Sequence, residues 1–239
     1  MAHISRVYIP GRLGPGPLTL AGEEAKRLGA VMRLRPGDPF LVFSGDGREW
    51  RATVSGAGRG TLFATVGELV RQDPVSALTL EVWCGLVRPN RFDWAIEKCV
   101  EAGADVIRPL LGEHAARGAG DSEHRRDRWE RIAVEATEQC GRLHMPLVEA
   151  PAPFERLVEH HHGVLVLAHP HGMPWGEVSR LLPRDGRLAV AVGPEGGFSE
   201  AEIALARARG ALVASLGPNV LRTETAAVVA VGLVRISAS

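Results

Sequence analysis

Lysine is almost missing from this chain: Lys26 and Lys98 are the only two, so arginine carries nearly all of the positive charge. The planar guanidinium fork holds a phosphate through two hydrogen bonds, which a lysine cannot do. The same bias also follows from genome composition or thermal adaptation, and composition alone does not separate these origins. Cysteine is scarce too. Cys84, Cys99 and Cys140 form no close pair, which supports neither a disulfide framework nor a zinc site and fits a reducing cytoplasm. Aromatic residues make up only 5% of the chain, which argues against an aromatic-rich β-sandwich and for an α/β core of small aliphatic side chains. Net charge is zero, so the global balance speaks mildly against nucleic acid, although the distribution of charge counts for more than its sum. Met1–Pro10 has no apolar run like that of a signal peptide. The longest apolar stretch, Ala226–Val234, is broken by Gly232 and is too short to span a bilayer. The expectation is a cytoplasmic protein without a membrane partner.

What is present is enough for a packed interior. Of 239 residues, 45% are hydrophobic and 23% charged, which suits one large domain or two modest ones rather than a disordered chain. Residues 1–70 read as β-rich. Short runs at Arg6–Pro10, Pro39–Phe43, Glu49–Ser55 and Thr61–Leu69 are punctuated by Asp38 and by Gly45-Asp46-Gly47, with one helix over Glu23–Arg33. This predicts a small β-barrel. Gln72-Asp73-Pro74 serves as a linker, and residues 74–239 then alternate strand and helix in the α/β manner. Strands are expected at Leu78–Leu86, Val106–Leu110, Gly163–Ala168, Leu188–Val192 and Ala211–Leu216. Helices are expected at Phe92–Ala102, Asp127–Cys140 and Thr223–Ile236. The last is apolar nearly all round, so it must be buried in a core or a subunit interface.

Two segments carry the chemistry. In the first, the strand ending at Val192 runs into Gly193-Pro194-Glu195-Gly196-Gly197, and a helix begins at Ser199, where Glu202 three residues on completes a capping-box pattern. Three glycines in five residues let a backbone turn sharply and approach a ligand, and ligands of open α/β sheets bind at the carboxyl ends of strands. The spacing fits neither a dinucleotide fingerprint nor a P-loop. In the second, a strand runs into Leu216-Gly217-Pro218-Asn219-Val220-Leu221-Arg222 and a helix starting at Thr223-Glu224. Thr223 reads as an N-cap and Glu224 as an anion matched to the helix dipole. Capping leaves Arg222 unexplained.

These two loops together resemble the signature motifs of the SPOUT-class 16S rRNA (uracil-N3) methyltransferases, the RsmE type. The resemblance extends to Arg128-Trp129-Glu130-Arg131-Ile132, to Glu138-Gln139-Cys140-Gly141-Arg142 and Pro146, to Lys98, Glu101 and Gly103 of one helix, and to His3-Ile4-Ser5-Arg6 and Arg33–Asp38 at the front. The chain departs from the pattern at Ala102, Leu111–Arg117 and Asn219. The resemblance implies a PUA-like RNA-binding β-domain ahead of a methyltransferase domain with a deep C-terminal trefoil knot. It further implies a homodimer, S-adenosyl-L-methionine (SAM) as cofactor, and 16S rRNA or the small ribosomal subunit as partner.

On that reading the cofactor pocket draws on Leu167 and His169 from one strand end. Val192, Gly193, Pro194, Gly196 and Gly197 come from the first loop, and Leu216, Gly217, Leu221, Arg222, Thr223 and Thr225 from the second. Uracil N3 must lose a proton before it can attack a methyl group. Arg222 is the candidate to stabilise the resulting negative charge, and Glu195 or Glu224 to act as base. Arg6, Arg33, Arg35, Arg88, Arg91 and Arg142 are candidates for RNA contact. Glu159-His160-His161-His162 looks like a metal tract, but consecutive residues point different ways and no second ligand cluster accompanies it, so no metal is expected. A related methyltransferase of tRNA or another rRNA site, or a non-catalytic RNA-binding relative, are the competing readings.

Overall fold

The computed structural model describes residues 5–114 and 122–238. His3, Ile4 and Ala115–Arg117, which the motif comparison touched, lie outside them. The chain divides into two compact units: residues 1–75 together with 137–145, and residues 76–136 together with 146–239.

In the first unit β1 (Arg6–Tyr8), β2 (Gly16–Ala21), β3 (Pro39–Phe43), β4 (Arg48–Gly58) and β5 (Thr61–Gln72) form one sheet in the order β1-β3-β4-β5-β2. All its pairings are antiparallel except β1 with β3. Strand β2 was not expected: Gly16-Pro17 opens it, and the turn residues hid the alternation of Leu18 and Leu20. The expected front helix is α1 (Gly22–Lys26), which widens into a π-helical turn over Arg27–Val31. Val7, Leu28, Phe40, Val42, Ala52 and Leu62 fill the core of this unit.

The second unit is a parallel sheet in the order β12-β10-β11-β6-β7-β8. It comprises β6 (Leu78–Gly85), β7 (Val106–Leu111), β8 (Leu147–Val148), β10 (Val164–Pro174), β11 (Gly186–Val192) and β12 (Leu212–Ser215), with the short β9 (Ala152–Pro153) also paired to β7. Its helices are α2 (Pro89–Ala102), α3 (Ser122–Cys140), α4 (Phe154–His160), α5 (Trp175–Val178), α6 (Glu200–Ala208) and α7 (Thr223–Ala238). The last turn of α3 counts with the first unit. Strand alternation sorts the interior into two layers, as a parallel sheet covered on both faces requires. Leu80, Val82, Val166, Leu188 and Val190 face Phe92, Ile96, Trp129 and Ala227 of α2, α3 and α7. Trp83, Leu165, Leu167, Ala189 and Ala191 face Phe154, Leu157, Ile203 and Ala206 of α4 and α6.

Helix α6 starts where the sequence placed it. Ser199 Oγ accepts from Glu202 N at 3.2 Å, and the Glu202 carboxylate accepts from Ser199 N at 2.7 Å. The other carboxylate oxygen of Glu202 accepts from Glu113 N at 3.0 Å, so one buried side chain fixes both the helix start and the loop after β7.

Candidate active site

Strands β11 and β12 end on either side of Ala168 in β10, and the loops that leave them close over that point. Between them lies a cleft of about 630 Å³. The first loop can bend because Gly197 takes φ +73°, a left-handed conformation costly for other residues, and its N–H donates to Pro194 O at 2.8 Å. It also lies directly on β6. A Cβ at Gly85 would sit 2.3 Å from Pro194 N, so only glycine permits that approach. In the second loop Ser215 Oγ donates to Gly217 O at 3.1 Å and narrows the turn.

The two loops are joined by Thr223, whose buried hydroxyl donates to Gly193 O at 3.0 Å. This revises the capping assignment. Helix α7 begins at Thr223, and the Arg222 carbonyl accepts its first bond, from Ala226 N at 2.8 Å. Arg222 therefore holds the cap position, and Thr223 bridges the loops.

Of the residues assigned to the cofactor, His169, Val192, Gly193, Pro194, Gly196 and Gly197 line the cleft, as do Leu216, Gly217, Leu221, Arg222 and Thr223. Two do not. Leu167 is fully buried in the layer under α4 and α6, because strand alternation turns it to the face opposite Ala168, and Ala168 lines the cleft instead. Thr225 falls on the helical face shared with Val229, Leu233 and Ile236, which turns away from the loops. Pro170, Phe198, Ser215, Asn219, Val220 and Ala226 complete the wall. All but Pro170, which follows His169 on β10, lie inside or beside the two motifs, so taking the segments whole would have found most of them.

The charged groups form one cluster. Arg91, from the first turn of α2, also lines the cleft. It donates to Glu195 Oε1 at 2.6 Å and lies 3.7 Å from Glu224 Oε1. Glu195 is 59% exposed, whereas Glu224 is 10% exposed and its buried Oε2 has no hydrogen-bond partner among the described residues. Burial pushes the neighbouring Cys84 thiol up to about 12, and the Glu224 carboxylate adds to that shift. Arg222 is exposed, and its side chain carries no hydrogen bond or ion pair among the described residues.

The arginines assigned to RNA separate into different environments. Arg6 is spoken for. Its side chain pairs with Glu49, donates to Thr137 O at 2.7 Å and to the carbonyls of Glu138 and Arg142, and lies 3.9 Å over the Phe43 ring. A guanidinium 11% exposed that already spends four of its five N–H groups has little left for a phosphate, so Arg6 reads as structural. Arg33, Arg35 and Arg88 are exposed, and Arg33 adopts φ +59°. Arg142 is half-buried with its carbonyl on Arg6, and Arg91 belongs to the cleft. Among the described residues no group of histidine, cysteine, aspartate or glutamate could hold a metal ion, and no helix is long and apolar enough to cross a membrane.

Comparison with known proteins agrees with this architecture. The RNA methyltransferase domain family matches residues 74–235, and the RNA methyltransferase PUA domain matches residues 20–67. Ribosomal RNA small subunit methyltransferase E of Synechocystis is 33% identical over 229 residues, covering 94% of this chain and 74% of its own. The Mycobacterium bovis protein of that name is 34% identical, covering 91% of this chain and 86% of its own. Among solved structures, a Legionella pneumophila protein in complex with bound SAM aligns with a TM-score of 0.88 at 30% identity, covering 99% of this chain and 98% of its own. The Neisseria gonorrhoeae methyltransferase E, solved with S-adenosyl methionine, gives 0.84 at 25% identity, covering 98% of each chain. The SPOUT-type α/β domain behind a PUA-like β-domain is thus the fold observed, and the chain belongs to the ribosomal RNA small subunit methyltransferase E family of RNA methyltransferases.

Proposed function

We propose that this protein transfers a methyl group from SAM to N3 of a uridine in 16S rRNA of the small ribosomal subunit. The observation that carries this reading is that the two glycine-bearing loops, 24 residues apart at Gly193 and Gly217, share one cleft and are tied by Thr223. The cleft fits the cofactor. Its volume lies within the usual range of small-molecule sites, about 300–1,000 Å³. Its walls combine backbone groups at the glycines with the apolar side chains of Val192, Leu216, Leu221 and Ala226, which suit an adenosyl group.

SAM, when bound, supplies an electrophilic methyl group. The residues of this chain bind and orient both partners and manage the proton. Arg222 presents its cation at the cleft and stabilises negative charge on the uracil oxygens as N3 is deprotonated. Glu195 is the better placed base of the two glutamates, since it lines the cleft beside Arg91 while Glu224 is buried and does not line it. The target base must leave its stack to reach this cleft. Exposed Arg33 and Arg35 of the front domain, residues 1–70, and Arg88 of the domain from residue 74, hold the RNA backbone.

The domain beginning at residue 74 is read as ending in a trefoil knot, and the protein as a cytoplasmic homodimer. Support for the dimer comes from α7, whose outer face leaves Val229 and Leu233 half-buried and Ile236 78% exposed. An apolar helix face of that kind suits a subunit interface. The test is mass mapping of modified uridines in 16S rRNA from cells with and without the gene. The expected result is one 3-methyluridine lost on deletion and restored by the intact gene. An unchanged uridine profile rejects the assignment.

A further inference from the structure

A second cleft, of about 340 Å³, opens on the other layer of the sheet, beneath α4. Arg108, Arg156, Arg187, His160, His161 and His162 line it, over Glu81 and Trp83. It is separate from the cofactor cleft: Arg187 stands five residues before Val192 on β11, about 16 Å along the strand. We propose that this cleft binds a phosphate group.

The argument begins with Glu81. A carboxylate 1% exposed within a sheet layer is costly unless fully compensated. Its Oε2 accepts from Arg108 Nε at 2.8 Å and Trp83 Nε1 at 3.2 Å, and its Oε1 accepts from Arg187 Nε at 3.1 Å and Nη2 at 2.6 Å. Glu81 is therefore saturated. It anchors two guanidiniums by one edge each and leaves their other N–H groups to the cleft. Glu149 lies 3.6 Å from Arg108 Nη1, too far for a hydrogen bond.

Arg156, on the exposed side of α4, has no side-chain hydrogen bond or ion pair among the described residues. His160 and His161 add no donor in the neutral form, because each ring N–H is already given to a carbonyl. His160 Nδ1 donates to Arg156 O at 2.9 Å, which leaves Nε2 of the neutral ring an acceptor. His161 is held edge-on to Trp83 at 5.2 Å, and its Nε2 donates to Val164 O at 3.2 Å.

The cleft is thus rich in fixed donors and poor in acceptors, with three guanidiniums against two carboxylates. It calls for an anion with several acceptor oxygens. Donors arriving from β7, β11 and α4 suit a tetrahedral phosphate better than a planar carboxylate. The volume is at the small end of ligand sites and admits one phosphate with its attached sugar. Trp83 is 1% exposed and offers no face for base stacking, so recognition rests on the phosphate and carries no sequence information. The phosphate can belong to an RNA strand or to a small free compound.

The test measures binding of uridine, uridine 5′-monophosphate and a single-stranded RNA oligonucleotide to the full chain, alongside Arg156→Ala, Arg156→Lys and Arg222→Ala. Arg156 lies outside the Glu81 network, so its replacement leaves the fold intact, which equal melting curves verify. An RNA source predicts that Arg156→Ala weakens the oligonucleotide roughly tenfold and lowers the slope of log affinity against log salt by about 1. A free-compound source predicts that Arg156→Ala weakens only the monophosphate, by the same factor, with uridine unaffected throughout. In either case Arg156→Lys recovers part of the loss. Equal affinities of wild type and Arg156→Ala for both phosphate probes overturn the proposal. So does a monophosphate that responds to Arg222→Ala and not to Arg156→Ala. Loss of methylation in Arg222→Ala bears on the cofactor cleft alone, so the two readings fail separately.

Discussion

Arg222 and Thr223 are neighbours with opposite duties. The Arg222 side chain is exposed at the cleft without a partner among the described residues, while Thr223 is buried and holds the two loops together. Arg222→Ala should leave SAM affinity unchanged in calorimetry and lower single-turnover methylation about 10²–10³-fold, the usual cost of removing one group that stabilises developing charge. Equal turnover would exclude that role. Thr223→Val should act on binding instead. It removes the donor to Gly193 O and leaves a buried carbonyl unmet, a loss of about 1–3 kcal/mol, so SAM affinity should fall while Thr223→Ser restores it. These roles were only partly legible in sequence. Arg222 stood out because capping could not explain it, whereas Thr223 looked like an ordinary N-cap: its partner lies 30 residues away, and no local rule reports that. Arg6 misled for the converse reason. An arginine in a basic motif looks available, and only the fold shows its donors consumed by Glu49 and three carbonyls.

Elements with strong periodicity and clear caps were readable: β3, β6, β11, α2, α6 and α7 begin or end within a few residues of expectation. Helix α4 was not. Phe154–His160 is short, follows Pro151 and Pro153, and ends in the histidine run, so turn signals masked Phe154, Leu157 and Val158. Strand β10 runs past Ala168 to Pro174 because its last residues pair with β12, a long-range contact that period alone does not reveal. Glu81 also broke the pattern, since a charged residue inside a central strand of a parallel sheet contradicts the apolar rule until Arg108 and Arg187 are seen beside it. That network ties β6, β7 and β11 together, and its pH dependence follows from its sign. Burial alone would raise the Glu81 pKa, but hydrogen bonds from Arg108 and Trp83 and the charges of Arg108 and Arg187 outweigh it and hold the group below its ordinary value. A carboxylate depressed in the folded state contributes stability above the unfolded value of about 4.3, and loses it as pH falls through the folded value. Glu81→Gln should therefore destabilise the protein at pH 7 and flatten the acid limb of stability against pH. Denaturant melts from pH 7 to pH 2 check this, and parallel curves for the two proteins would refute it.

At the scale of the molecule, the division of the chain is not the division of its sequence. The front unit is completed by residues 137–145, which arrive in the chain before five of the second unit's seven strands, β8 to β12. Within that unit the returning segment supplies what the front sheet cannot. Glu138 accepts from Tyr8 N at 2.7 Å and pairs with Arg27 at 2.8 Å. The carbonyls of Thr137, Glu138 and Arg142 occupy Arg6, and Gly141 O accepts from Arg71 at 2.9 Å. A fragment of residues 1–75 would keep Arg6 and Glu49 but lose every carbonyl around the guanidinium. Breaking a buried charged network costs about 3–5 kcal/mol. A small domain has about 5–15 kcal/mol of stability in all, so that loss removes much of it. The fragment should show a shallow, non-cooperative thermal transition by circular dichroism. Adding a peptide of residues 122–145, which carries α3 and the following turn, should restore cooperativity. A fragment that melts sharply on its own, at the temperature it reaches with the peptide, would mean that the returning segment decorates the front unit rather than completes it.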